Sequence, residues 1–160
     1  MSEYPTDGRR VSIEKGYAEF VQSMSMRDGE TGITPFATTA DLVGFAAAYG
    51  ASEADPLPLK DKADRPSPIR YEVFVTRGYE SLIDLLAAFN RNDVRALKAS
   101  EESLNERIEI FEGYANAGIQ LMKAKLDPFA DKMEGLELLL ASGRKSLEVP
   151  ETVSDLSDLI

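Results

Sequence analysis

From Leu104 to Leu126 apolar side chains return every three or four residues: Leu104, Ile108, Phe111, Ala115, Ile119, Met122 and Leu126. That spacing keeps one face of an α-helix apolar for about six turns. It is the longest helix that the sequence marks. Ser103 and Glu106 read as a capping box at its start, and Pro128 as its stop. Gly113 and Gly118 interrupt it. A phosphate loop needs its glycines between a strand and the start of a helix, so these two read instead as a close approach between helices. Tyr114 and Asn116, beside them, are the candidates for a polar contact at that crossing.

A second helix is marked at both ends. Thr38 or Thr39 can accept a hydrogen bond from a free N–H of the first turn, and Asp41, three residues on from Thr38, complements the positive end of the helix dipole. Leu42, Phe45 and Tyr49 follow at helical spacing, and Gly50 stands where a left-handed terminal residue is wanted. Gly44 and Ala46 to Ala48 make this a thin helix that others can approach closely.

Weaker signals complete the domain. Ser12 reads as the cap of a first helix through Ile13, Tyr17, Phe20 and Val21. Residues 27–35 are rich in turn formers, and residues 51–68 hold Pro56, Pro58, Pro66 and Pro68 among charges. Ile69 to Val75 is enriched in strand formers, either as a lone strand or as the lead-in to the next helix. Tyr79, Leu82, Ile83, Leu85, Leu86 and Phe89 define a helix apolar over a wide arc, expected to lie centrally and to end near Asn92. Asp93 reads as the cap of a short turn through Val94 and Leu97. A last helix is expected from Phe129 to Ala141, with Met133, Leu136, Leu139 and Leu140 inward and Gly143 as its end. The sum is a mainly α fold, a bundle-like domain over 1–145 with room for one short strand near 70–75. Residues 146–160 carry four acids and no base, and read as an acidic, flexible tail dispensable for folding, either a disordered spacer or a short motif that orders against a partner.

Composition narrows the chemistry. The 160-residue chain has no cysteine and no histidine, which removes the thiol nucleophile, the commonest general base and the commonest transition-metal ligand. Asp28 and Glu30 offer too few oxygens for a calcium loop. No catalytic residues, no cofactor and no metal are expected. A net charge of −10 disfavours sequence-independent DNA binding. The basic candidates are Arg9, Arg10, Lys60, Lys62, Arg65 and Arg70, which form one positive face only if the Pro-rich loop folds back beside the N-terminal arm. Asp55, Asp61 and Asp64 are interleaved with them. No apolar run approaches the roughly 18 residues of a membrane span, and no signal-peptide pattern opens the chain, so a cytoplasmic protein is expected.

Phe36, Thr38, Asp41, Ala46 to Ala48 and Gly50, followed by Tyr114-Ala-Asn116-Ala-Gly118-Ile119, resemble the accessory proteins called Dnd-system-associated protein four, encoded beside prokaryotic DNA phosphorothioation systems. The resemblance covers about residues 9–126, with Ile69, Phe74 and the Ser81 to Ala87 helix in the expected order between the two motifs. It implies a non-enzymatic accessory subunit of a DNA-modification or anti-phage defence system, acting on protein partners of that system. A regulator that contacts DNA through the arm and the loop is the alternative, and a homo-oligomer is a further candidate assembly. Thr31-Gly-Ile-Thr-Pro35 is also similar to a segment of the small DNA-binding subunit of these systems, although turn chemistry alone produces such a run.

Overall fold

The computed structural model describes residues 8–25 and 34–147, with side chains to residue 143. The expectations for Asp28, Glu30, residues 31–33 and the segment beyond 147 fall outside the described residues. The order of elements is β1 (Arg10–Val11), a 3-10 turn (Lys15–Tyr17), α1 (Ala18–Ser25), α2 (Thr39–Glu53), β2 (Ile69–Arg70), α3 (Tyr71–Thr76), α4 (Glu80–Arg91), a second 3-10 turn (Val94–Leu97), α5 (Glu101–Leu126) and α6 (Lys132–Leu147). The fold is mainly α, with one antiparallel two-stranded sheet pairing Arg10 with Arg70 and Val11 with Ile69. The chain divides into two units, Met1–Ala124 and Lys125–Ile160.

In the first unit the long helix forms as its pattern requires. Leu104, Ile108, Phe111, Ala115, Ile119 and Met122 are all buried, and so are Ile110, Tyr114 and Ala117 on its flanks. More than one face is therefore covered. Phe74 of α3 meets Phe111 edge-on at 5.3 Å. The helix begins earlier than Ser103, because Ser100 Oγ accepts the Ser103 N–H at 3.2 Å. Ser103 is released to donate to the Ala96 carbonyl at 2.7 Å.

Several other boundaries move for tertiary reasons. Ser12 caps no helix: it is buried beside β1 and its N–H donates to the Glu112 carboxylate at 2.7 Å. Gly50 ends no helix, since α2 continues to Glu53. The strand formers divide. Only Ile69–Arg70 pairs as strand, and Tyr71 to Thr76 turn into α3, which buries Tyr71 and Phe74. Helix α4 ends near Asn92, as the sequence suggests, and the structure puts Asn92 in the left-handed conformation, φ 50°. It is not central, however: Ile83, Leu86 and Ala87 are buried while Leu85 and Phe89 face solvent.

The second unit holds the C-terminal end of α5, Lys125 and Leu126, and helix α6. Lys132 Nζ donates to the Leu126 and Phe129 carbonyls at 2.9 and 2.8 Å, closing the C-terminal end of α5 where Pro128 prevents continuation. Asp131 accepts the Met133 N–H at 2.9 Å and so starts α6 three residues after Phe129. The helix passes through Gly143 to Leu147. Of its expected inward set only Leu136 is buried, and Met133 and Leu140 are exposed.

Candidate functional site

Three groups of side chains hold the sequence-marked positions together. The first is centred on Asp41. Thr38 caps α2 by accepting the Asp41 N–H at 3.2 Å, and its hydroxyl donates to Asp41 Oδ2 at 2.8 Å. Arg77, at the C-terminal end of α3, grips the same carboxylate with two N–H groups, its Nε lying 3.0 Å from Oδ1. The Tyr79 hydroxyl donates to Oδ1 at 2.8 Å. The Arg77 fork, aided by the Tyr79 and Thr38 hydroxyls, holds the Asp41 carboxyl at about 2 despite the opposing effect of burial. A charged residue placed for the helix dipole thus also fastens α2 to the α3–α4 junction. Phe36 works nearby: its N–H donates to the Met24 carbonyl at 3.0 Å, and its ring lies 5.4 Å from that of Phe45. That joins the end of α1 to α2.

The second group is the crossing of α2 and α5. A Cβ on Gly118 would stand 1.8 Å from the Ala46 carbonyl oxygen, and one on Gly50 would stand 2.1 Å from the Tyr114 carbonyl oxygen. Ala46 and Gly50 are one turn apart on α2, as Tyr114 and Gly118 are on α5, so the two backbones meet through paired small positions. Only hydrogen fits at either glycine, because the opposing atoms are backbone and cannot rotate away. Asn116 faces elsewhere. Its side-chain amide donates to the Leu57 carbonyl at 2.9 Å, and the Leu57 N–H donates to the Gly113 carbonyl at 2.9 Å. Within this one segment, Tyr114 and Gly118 seat helix α2 while Gly113 and Asn116 seat the Pro-rich loop. The Tyr114 hydroxyl also accepts from the Asn90 amide at 3.3 Å.

The third group is the arm and the loop, which do fold together. The Ala63 N–H donates to the Ile13 carbonyl and the Lys15 N–H to the Asp61 carbonyl, both at 2.8 Å. The Glu14 carboxylate accepts the Lys60 and Asp61 N–H groups at 2.8 and 3.2 Å. Arg10 consequently stands opposite Arg70 across the ladder. Arg9, Arg10 and Lys62 line one depression of about 290 Å³ with Asn105, Glu109 and Glu112. Arg9 is largely covered and points its Nε to Asn105 Oδ1 at 2.6 Å, with Glu101 at 3.9 Å. Lys60 lies in a separate depression beside Glu14 and Asn116, and Arg65 is exposed in the loop. The six basic candidates thus divide into a core of Arg9, Arg10, Lys62 and Arg70 and two outliers. Burial pushes the Glu112 carboxyl up, opposed by the Ser12 N–H and by the charge of Lys62.

A fourth feature escaped the sequence reading. Leu85 and Phe89, one turn apart on α4, are each 65% exposed, and Val94 on the adjacent 3-10 turn is 77% exposed. That turn is pinned. Asp93 caps it through the Arg95 N–H at 2.9 Å, and one Arg107 nitrogen donates to the Ala96 and Lys98 carbonyls, each at 3.0 Å. Arg107 also pairs with Asp84 of α4 at 3.0 Å. Burial raises the Asp84 carboxyl, with Arg107 opposing. Their apolar character was legible in sequence, but which side of α4 faces solvent depends on the tertiary packing.

Among the described residues no three acidic groups gather to hold a metal ion, and no helix is long and apolar enough to cross a membrane. The geometry therefore defines a small, mainly α-helical protein whose marked residues tie helices, arm and loop to one another. The chain belongs to the family described as DNA sulphur modification system-associated protein 4, whose match runs over residues 10–159. The matched span includes the Pro-rich loop and reaches well beyond the 9–126 carried by the two motifs. No curated protein and no solved structure matches the chain.

Proposed function

We propose that this protein is a non-enzymatic accessory subunit of a DNA phosphorothioation-linked modification and anti-phage defence system, working in the cytoplasm by binding protein components of that system. Membership of a system-associated family supports the context. The observation that carries the mechanism is the apolar surface at Leu85, Phe89 and Val94, kept in solvent on a pinned scaffold. Large apolar side chains held in water on ordered elements mark a surface that a partner covers. The perturbed carboxyls Asp41, Asp84 and Glu112 are engaged by Arg77, Arg107 and the Ser12 N–H, which supports structural rather than catalytic use. The test is co-expression of the tagged chain with the modification and restriction proteins of its own system, followed by mass-spectrometric identification of what co-purifies. Stoichiometric recovery of at least one system protein is expected. Recovery of none overturns the adaptor reading.

A second reading, direct contact with DNA, is favoured by one observation: the loop does fold back and sets Arg10 opposite Arg70. Like charges directly opposed across a ladder are unfavourable unless an anion sits between them. Against it stand Glu109 and Glu112 in the same depression and the net charge of −10. Titration with plain and phosphorothioated duplexes at physiological salt separates the two readings. The adaptor reading expects no submicromolar binding to either, whereas tight binding abolished by Arg10→Ala and Arg70→Ala establishes the DNA contact.

A further inference from the structure

We propose that the depression where the first 3-10 turn, the Pro-rich loop and α5 meet takes the indole of a tryptophan from a partner protein. The inference rests on the adaptor reading, draws on residues outside α4 and adds the chemistry of one contact. The depression holds about 320 Å³, at the small end of ligand sites, which suits one large side chain better than an extended segment. Gly16, the half-buried Tyr17, Leu57 and Pro58 give it mainly apolar walls. Gly16 also leaves space, since a Cβ there would meet nothing within 4 Å. Glu14 borders the depression but is engaged, its carboxylate accepting the Lys60 and Asp61 N–H groups at 2.8 and 3.2 Å.

Asn116 decides what fits. It lines the depression and is 4% exposed. The Leu57 carbonyl can only accept, so the Asn116 amide nitrogen must face it, at 2.9 Å. The amide oxygen is left over, and no group among the described residues donates to it. A buried acceptor without a donor is unfavourable, and a guest that brings one N–H relieves it. Oδ1 is closed to bulk water. The exposed Gln120 side chain, one turn further along the same helix face and bordering the same depression, is the flexible group that gives way to a guest.

The guest is therefore apolar over most of its surface and carries one donor. Indole meets that description, because its nitrogen donates only, whereas a phenol adds an acceptor of its own. Lys60, exposed at the same depression, favours the same choice: a cation is attracted to the face of indole more strongly than to that of a phenol or phenyl ring. The 160-residue chain contains no tryptophan, so neither its own segments nor a second copy can supply the group. Tryptophan is also among the residues that anchor protein interfaces most strongly.

The probe is N-acetyl-tryptophanamide, which presents the side chain as a residue within a chain does. It is titrated into the isotope-labelled full-length protein and followed by NMR. The backbone amides of Gly16, Tyr17 and Lys60 and the side-chain amides of Asn116 and Gln120 should shift together, with a Kd on the order of 0.1–1 mM. The derivative methylated on the indole nitrogen lacks the donor and should bind at least about tenfold more weakly. Gly16→Leu, which puts a side chain into the open space, should abolish the shifts. Each variant is melted first, and should Gly16→Leu unfold, Lys60→Ala takes its place, with an about threefold weakening expected. The proposal falls if the tryptophan amide does not bind, if the methylated probe or N-acetyl-tyrosinamide binds equally well, or if binding is unchanged in the folded variant. It also falls if free indole binds while the tryptophan amide does not, because the guest is then a small molecule. System proteins that still co-purify while the probe fails would leave the adaptor reading standing and remove only this contact.

Discussion

The α2–α5 crossing and the outer face of α4 are both apolar, and they are opposites in every other respect. At the crossing the side chains are small and the backbones touch; at the α4 face they are large and touch water. Close packing leaves the crossing no room for change, so its residues are limited by sterics. Nothing in the described fold limits Phe89 in that way. The two regions teach that the positions the sequence marks most plainly, Gly50, Asn116 and Gly118, are the joints of the fold, and that a partner surface is to be sought where the packing constraint is absent.

The largest expected effect lies at the joint. Gly118→Leu should destabilise the protein by about 3 kcal/mol or more, above the usual overpacking cost because the obstacle is the Ala46 carbonyl. Chemical denaturation checks it, and unchanged stability would reject the crossing. Gly143→Ala is the internal control: a Cβ there meets nothing within 4 Å, so a gain of about 0.5–1 kcal/mol is expected from helix propensity alone.

Next comes the Asp41 fastening. Asp41→Ala removes the acceptor for Arg77 and the Tyr79 hydroxyl and should cost about 1–3 kcal/mol near neutral pH. Its pH dependence has a definite sign. The carboxyl sits at about 2 in the fold against an ordinary 3.8, so its contribution is complete above 3.8 and is lost as pH falls through about 2. Asp84 and Glu112 are shifted the other way by burial, so their protonation favours the fold and offsets part of that loss. Asp41→Asn should therefore flatten the acid limb of a melting-temperature profile. An acid limb identical to that of the wild type would show that Asp41 is not held as described.

Asn116→Ala should cost about 1–2 kcal/mol, because the Leu57 carbonyl loses its donor. Hydrogen exchange should show faster opening in the Pro-rich loop than in α2, since Asn116 seats the loop and Gly118 seats the helix. Equal effects on both would merge the two roles. The smallest effect on stability belongs to the other region: Phe89→Ser should shift it by no more than about 0.5 kcal/mol, as expected at an exposed site.

What was legible in the sequence follows the same division. A threonine cap at the start of α2, the Asp93 cap and the end of α4 near Asn92 were readable because each is settled within a few residues. Helix α5 was readable because its pattern is long. Gly50 was misread as a helix end because glycine's local meaning is a stop, while its role here comes from Tyr114, far away in sequence. The strand-forming run Val73 to Thr76 became helix because burying Phe74 against Phe111 outweighs strand propensity. The Arg77–Asp41 fork spans 36 positions and left no local trace. Nor could the exposure of Leu85 and Phe89 be read, since their spacing is the same as that of a buried pair.

The most direct test of this division is co-purification of the Leu85→Ser/Phe89→Ser chain with the proteins of its DNA sulphur modification system, beside the wild-type chain and after both have been melted. The account predicts nearly equal melting temperatures and a loss of at least about tenfold in the recovered system protein. Full recovery by the variant, with its fold intact, would contradict it.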